Sequence, residues 1–226
     1  MSENSIKKIF DTLYDKTPKD GMVDLYTNWA ETYEKVNYSL ISFFYSSQDV
    51  VLTDEGYKGF EIISKIIDLF SVNKDLKILD IAAGTGLVSQ ELKKLEYYNI
   101  DAMDPCEAML TKAKVKNLYK NYFCQFAGED PNDPKYGTYD HVSIAGGFSK
   151  NHMNYTDILK LVKYSKINGL TSLVFRYEAI SSYQKEVPVE IHRLKSEGII
   201  ELILETEIPK YYTNVSGYLV VMKRKL

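Results

Sequence analysis

Two acids and a pair of glycines are the residues of this chain best spaced for ligand chemistry. Asp80 sits at the end of the apolar stretch Ile78-Leu79-Asp80-Ile81, and Ala82-Ala83-Gly84-Thr85-Gly86 follows it. Leu87-Val88-Ser89-Gln90-Glu91-Leu92 then continues with helical spacing. The pattern predicts a buried strand, a tight glycine turn and a helix start, where a ligand meets bare backbone. Glycine at 84 and 86 removes the Cβ atoms that would block that approach. A carboxylate at Asp80 can accept hydrogen bonds from a cationic or hydroxylated group. A second acid, Asp104, ends the next apolar segment, Asn99-Ile100-Asp101-Ala102-Met103. From there it can take both ribose hydroxyls of an adenosine lying over the glycine turn. Ser89 stands where a dinucleotide fingerprint needs its third glycine. No Gly-x-x-x-x-Gly-Lys-Ser/Thr segment occurs, which excludes a P-loop.

The elements that must hold these residues can be read from periodicity. Helices are expected over 24–36, with Leu25, Trp29, Tyr33 and Val36 on one stripe, and over 55–70, through Phe60, Ile63, Ile67 and Phe70. Strands are expected at 76–81, 98–103, 121–126, 140–145 and 170–176, and helices at 86–95, 106–117, 155–165 and 184–196. Strands alternating with helical patterns of this length imply a parallel sheet covered on both faces, an α/β fold of Rossmann-like type. Two strands, 199–208 and 215–223, follow with no helix between them, which predicts an antiparallel strand in an otherwise parallel sheet. One domain is expected: residues 1–50 as an N-terminal helical cover or lid, 51–226 as the ligand-binding core.

Composition narrows the classes. The chain has 226 residues, a formal charge of −3 and a hydrophobic fraction of 45%. The acidic balance disfavours a general nucleic-acid binder. Lys112, Lys114, Lys116 and Lys120 are best explained as a solvated helix end. Two cysteines, Cys106 and Cys124, offer neither a disulfide framework nor metal spacing, and the three histidines are scattered, so no metal is expected. No signal-like leader or 18-residue apolar run appears, so a cytoplasmic location without membrane attachment is expected.

At Ile78–Gly86 the chain resembles the class I S-adenosylmethionine-dependent methyltransferases. Asp104-Pro105-Cys106-Glu107-Ala108-Met109-Leu110 is similar to the segment following their ribose-binding acid, and Tyr139–Gly147 is similar to their fourth motif. Trp29-Ala30-Glu31-Thr32-Tyr33-Glu34 and Gly146–Met153 resemble, more narrowly, the Williams–Beuren-region methyltransferase-like group. The resemblance implies a seven-stranded sheet with an antiparallel last strand, and S-adenosyl-L-methionine as cofactor. Gly84 and Gly86 would pass under the methionine part with Ala82 and Thr85, and Asp80 would lie near its amino group. Asp104 would bind the ribose, and Met103 and Pro105 would flank the adenine, with Met109 close by. Gly128-Glu129-Asp130 takes the place of the acid or amide that faces the adenine amine; Tyr33, Ala145 and Gly146 complete the surface. The chain departs from the group at Ile41–Ser47, which lacks a proline segment, and at Asn151, where a glycine is usual.

Methyl transfer needs alignment more than covalent help. A base serves only an acceptor that must lose a proton, and His152, in the loop after the fourth strand, is the candidate. His141 is expected to pack inside that strand and His192 to be exposed. Among the aromatic residues, Tyr26, Trp29 and Tyr45 are the expected substrate-side contacts of the cover, together with Arg176 at the end of the fifth strand. The expected substrate is a small molecule, since Ala145-Gly146-Gly147-Phe148 replaces the Asn/Asp-Pro-Pro-Tyr/Phe sequence used on amide or base amines. An aminopropyl-transferring enzyme on the same fold and a non-catalytic S-adenosylmethionine/S-adenosylhomocysteine-binding protein are the alternatives.

Overall fold

A computed structural model describes residues 19–30, 57–130, 132–148, 152–177, 182–212 and 215–226. Its elements, in order, are α1 (Lys19–Trp29), α2 (Gly59–Leu69), β1 (Ile78–Ile81), α3 (Leu87–Lys94), β2 (Ile100–Met103), α4 (Glu107–Val115) and β3 (Tyr122–Phe123). Then come β4 (Tyr139–Ala145), a 3-10 turn (Tyr155–Asp157), α5 (Ile158–Val162), β5 (Ser165–Arg176), α6 (Ser182–Ser196), β6 (Ile200–Tyr212) and β7 (Val215–Arg224).

The seven strands form one sheet in the order β3-β2-β1-β4-β5-β7-β6. β1 to β5 pair in parallel, and β7 pairs antiparallel with both β5 and β6. The antiparallel strand foreseen at the end is therefore β7, inserted between β5 and β6. The order reverses between β1 and β4, both reached from opposite directions, so a crevice opens beyond their carboxyl ends.

Each strand feeds two cores by alternation. Ile78, Ile100 and Ala102 join the α2–α3–α4 side with Phe60, Ile63, Ile67, Val88, Leu92 and Leu110. Leu79, Ile81, Met103, Val142 and Ile144 point the other way, onto Ile158, Leu161, Val187, Ile191 and Leu194 of α5 and α6. Burial on both faces explains why β1 and β2 are apolar almost throughout. Asp80, two residues from Ile78, falls on the α2–α3–α4 side and is 1% exposed.

The boundaries differ from the periodicity in instructive places. The helix expected over 155–165 is a 3-10 turn and a five-residue helix, after which the chain enters β5 at Ser165, five residues before the expected start. The polar residues Ser165-Lys166 and the Asn168-Gly169 pair hid this beginning: Asn168 has φ 64° and breaks the strand pattern. α1 begins at Lys19, before the expected Asp24, and the remainder of that expected helix, 31–36, lies outside the described residues. His141 is 1% exposed and bonded to Ser172 Oγ at 2.8 Å. Burial lowers its pKa to about 3, so it packs as a neutral ring. His192 is exposed on α6 beside Glu205. No described helix is long and apolar enough to cross a membrane.

Candidate functional site

The carboxyl ends of β1, β2 and β4 bring Asp80, Asp104 and Gly146 to one edge of the sheet. Asp80 is held on both oxygens. The Tyr119 hydroxyl donates to Oδ2 at 2.6 Å, and Ser143 Oγ donates to Oδ1 at 3.1 Å. Burial pushes the Asp80 pKa up to about 7, against the lowering effect of the two hydroxyls; the charge of Asp104 adds to the rise. The same burial keeps the Tyr119 phenol well above its ordinary value, so it remains a donor.

Asp104 ties two strand ends together. Its Oδ2 accepts the Gly84 N–H at 2.9 Å and its Oδ1 the Cys106 N–H at 2.8 Å. One bond fixes the glycine turn and the other starts α4. Burial raises its pKa to about 6, opposed by those two amides. Each oxygen keeps a second lone pair, enough for a vicinal pair of hydroxyls.

The two glycines of the turn do different work. Gly84 has φ +54°, and a Cβ there would meet nothing within 4 Å. Gly86 has φ +93° at the N-cap of α3, and a Cβ there would run into Leu118 Cδ1. Only Gly84 opens the turn outward; glycine at 86 is demanded by the chain's own packing. Thr85 between them is 2% exposed, and its hydroxyl has no hydrogen-bond partner among the described residues. Ala82 leaves β1 at φ 56°, an uncommon conformation for a residue with a Cβ.

Above β4 the chain turns at Gly146, φ +75°, whose amide donates to Val174 O. A Cβ at Gly146 would stand 2.8 Å from the Tyr57 hydroxyl, and one at Gly59 would collide with the same phenol. Tyr57 thus reaches the end of β4, edge-on to Tyr211 with ring centroids 5.5 Å apart. Nothing in the pattern singles it out among nineteen tyrosines, because it precedes its helix and belongs to no motif. His152 follows in the next loop. Its Nε2 lies 2.9 Å from the Tyr26 hydroxyl of α1, and the two rings meet edge to face. Ala30, directly after α1, packs with Cys106 and Met109, and Thr27 Oγ1 of α1 lies 3.5 Å from the Cys106 thiol.

The other expected residues are placed as follows. Met103 is buried at the end of β2, Asp104 follows it directly, and Pro105 leads into α4. The Gly128 amide donates to the Tyr164 hydroxyl, Asp130 accepts the Asn132 N–H, and Glu129 and Asp130 are exposed. Ala145 ends β4 and Arg176 ends β5, both partly buried. Trp29 closes α1, where only its backbone is described; Tyr33, Tyr45 and Asn151 lie outside the described residues, as does 41–47. Among the described residues no cluster of three metal-binding side chains occurs.

Comparison with known proteins agrees with this frame. Over 137 residues the chain is 28% identical to Methyltransferase-like protein 27 of Homo sapiens; the match covers 60% of this chain and 56% of the relative. The chain thus matches little more than half the length of that curated relative. No protein-family model matches the chain. Among solved structures it resembles the magnesium protoporphyrin IX methyltransferase of Synechocystis PCC 6803 with bound S-adenosylmethionine (TM-score 0.59, 13% identity, covering 88% of this chain and 97% of that one). It also resembles a TehB-like S-adenosylmethionine-dependent methyltransferase of Corynebacterium glutamicum (TM-score 0.58, 14% identity, 88% and 98%). A third likeness is to the cyclase SpnF (TM-score 0.63, 9% identity, 88% and 94%). The fold is that of the class I methyltransferases, and the cyclase shows that this frame hosts more than one reaction.

Proposed function

We propose that this chain is an S-adenosylmethionine-dependent methyltransferase acting on a small molecule. The observation that carries the reading is the Asp104–Gly84 bond, which joins the strand-end acid of β2 to the glycine turn of β1 beside the crevice where the strand order reverses. The likeness to Methyltransferase-like protein 27 supports it.

The residues present fit the cofactor. Gly84 offers backbone with open space beside it, Thr85 has a buried hydroxyl with no partner among the described residues, and Asp104 has lone pairs to spare. Asp104 would hold the ribose hydroxyls, Asp80 would face the amino group, and Gly84 with Ala82 and Thr85 would support the methionine part. Met103, Pro105 and Met109 would border the adenine, with Gly128, Glu129 and Asp130 at its edge; Gly86, Tyr33, Ala145 and Gly146 complete the assignment. When bound, the cofactor supplies a methyl group already activated on a sulfonium.

What remains for the protein is to align an acceptor, exclude water and move a proton. His152, anchored by Tyr26, accepts the proton that a hydroxyl or ammonium acceptor must lose. A Tyr26 hydroxyl that accepts the Nε2–H leaves the lone pair on Nδ1, and one that donates leaves the proton there; the tautomer decides which nitrogen is basic. Tyr26, Trp29, Tyr45 and Arg176 would contact the acceptor. We assign a small molecule over nucleic acid because the net charge is −3, and we place the protein in the cytoplasm.

Calorimetric titration with S-adenosylmethionine and S-adenosylhomocysteine tests the cofactor. Absence of micromolar binding to both would sink the proposal. Incubation of the protein with methyl-labelled cofactor and fractionated metabolite extract tests the transfer; binding without any labelled product would favour a non-catalytic binder.

A further inference from the structure

The loop between α4 and β3 touches the segment from β1 to α3 at every residue from Lys116 to Tyr119. Lys116 Nζ donates to the Thr85 carbonyl at 3.2 Å. The Asn117 carbonyl accepts from Lys93 Nζ of α3, and the Leu118 carbonyl accepts from the buried Ser89 Oγ at 2.7 Å. The Leu118 side chain takes the space that glycine leaves at 86. Tyr119, 5% exposed, completes the set with its short bond to Asp80. Four consecutive residues of a loop with no motif therefore brace the segment 80–93 from beneath.

From this geometry we infer that Tyr119 is a positioning residue for the cofactor site: its phenol holds the buried Asp80 carboxylate as an anion in place, while residues 116–118 clamp the turn and helix that follow. The inference rests on the cofactor reading above for its functional consequence. The physical reason is the burial of Asp80. A carboxylate removed from water keeps its charge only by accepting hydrogen bonds, and the shortest one here comes from Tyr119. Ser143 supplies the second, longer bond. Among the described residues, the other titratable groups near Asp80 are Asp104, directly after β2, and, behind Tyr119, Tyr122, edge-on at 5.5 Å between centroids. Lys116 lies beyond the turn, on the Thr85 carbonyl. From α2 the buried group on this face is the uncharged Ser64, bonded to backbone. None of these replaces the phenol proton.

The test is Tyr119→Phe in the full chain, with two readings. The first is the carboxyl titration of Asp80 in the ligand-free protein, followed by carbon NMR with aspartate labelling and assigned by its loss in Asp80→Asn. Its midpoint should rise by about one pH unit or more in Tyr119→Phe, and by less in Ser143→Ala. The second is the ratio of the variant's Kd for S-adenosylmethionine to that of the parent across pH 6.5–9, in which the ligand's own ionisation cancels. It should fall from about tenfold at neutral pH towards one at pH 9, as alkali restores the carboxylate. An unmoved Asp80 titration, or a weakening equal at every pH, overturns the inference and leaves only packing. If the parent binds no cofactor while the titration moves as expected, the cofactor reading has failed and the positioning of Asp80 stands. If Tyr119→Phe does not fold, Ser143→Ala decides by the same two readings.

Discussion

Tyr26 and His152 stand 126 residues apart in the sequence and within 2.9 Å of each other in the fold, phenol oxygen to imidazole Nε2. This contact joins α1 to the loop that leaves β4, so the helix and the candidate base take position together. Replacing His152 with Gln should lower kcat by roughly 10²–10⁴-fold if the acceptor is deprotonated by it, with the cofactor Kd unchanged. Tyr26→Phe should cost about tenfold in kcat and move the acidic limb of the pH–rate profile, since it removes the partner that selects the tautomer. A flat response of both variants would show that the pair only latches α1.

Asp104→Ala should weaken cofactor binding by about 1.5–3 kcal/mol, the scale of hydrogen bonds to a charged group. It also releases the Gly84 amide, so part of the loss reflects a looser turn. Titration calorimetry against the parent measures the change, and equal affinity would refute the ribose assignment.

The two glycines separate stability from binding. Gly86→Ala must displace Leu118 and adopt φ +93°, and should destabilise the fold by about 2–4 kcal/mol, from a left-handed residue plus overpacking. Gly84→Ala meets open space and should cost only about 1–2 kcal/mol for its φ of +54°. A bound cofactor would feel the added methyl, so Gly84→Ala should lose binding out of proportion to stability. Denaturant melts and calorimetry on both variants check the pair; identical behaviour would mean that Gly84 has no ligand beside it.

Asp80→Asn should trade function for stability. The native pKa of Asp80, about 7, lies above the ordinary 3.8, so the folded protein holds a proton that the unfolded chain releases between those values. That contribution is present below pH 4 and is lost as pH rises to 7. His141 acts in the opposite sense, favouring the fold as pH rises from about 3 to 6.5, and cancels when variant and parent are compared. The variant should therefore gain on the parent as pH rises from 5 to 8, by an amount of order 1–3 kcal/mol, while losing cofactor affinity. Melting curves at the two pH values check the sign; a gain largest at pH 5 would contradict it.

The sheet was legible in the sequence because β1, β2, β4 and the end of β5 are buried on both faces and separated by helical segments. Asp80, Gly84 and Asp104 could be placed at strand ends by the same pattern. Tyr119 could not, because a loop tyrosine carries no periodicity and its bond to Asp80 spans 39 residues. Tyr57 was hidden for a related reason: its place depends on the absence of side chains at Gly59 and Gly146, which are far apart in sequence. The early start of β5 was masked by Asn168, whose left-handed φ sits inside a strand.

The insertion of β7 between β5 and β6 has a consequence for how the molecule comes to exist. The strand that fills this interior position is the last of the described strands to be synthesised, so β6 has no partner among them until residues 215–224 have appeared. Until then β5 presents an open apolar edge, the kind of surface that recruits other chains. Folding of this half of the sheet is thus a late, non-local step, and substitutions in Tyr218–Met222 should show their largest effect on refolding yield in cells, before any effect on the finished protein.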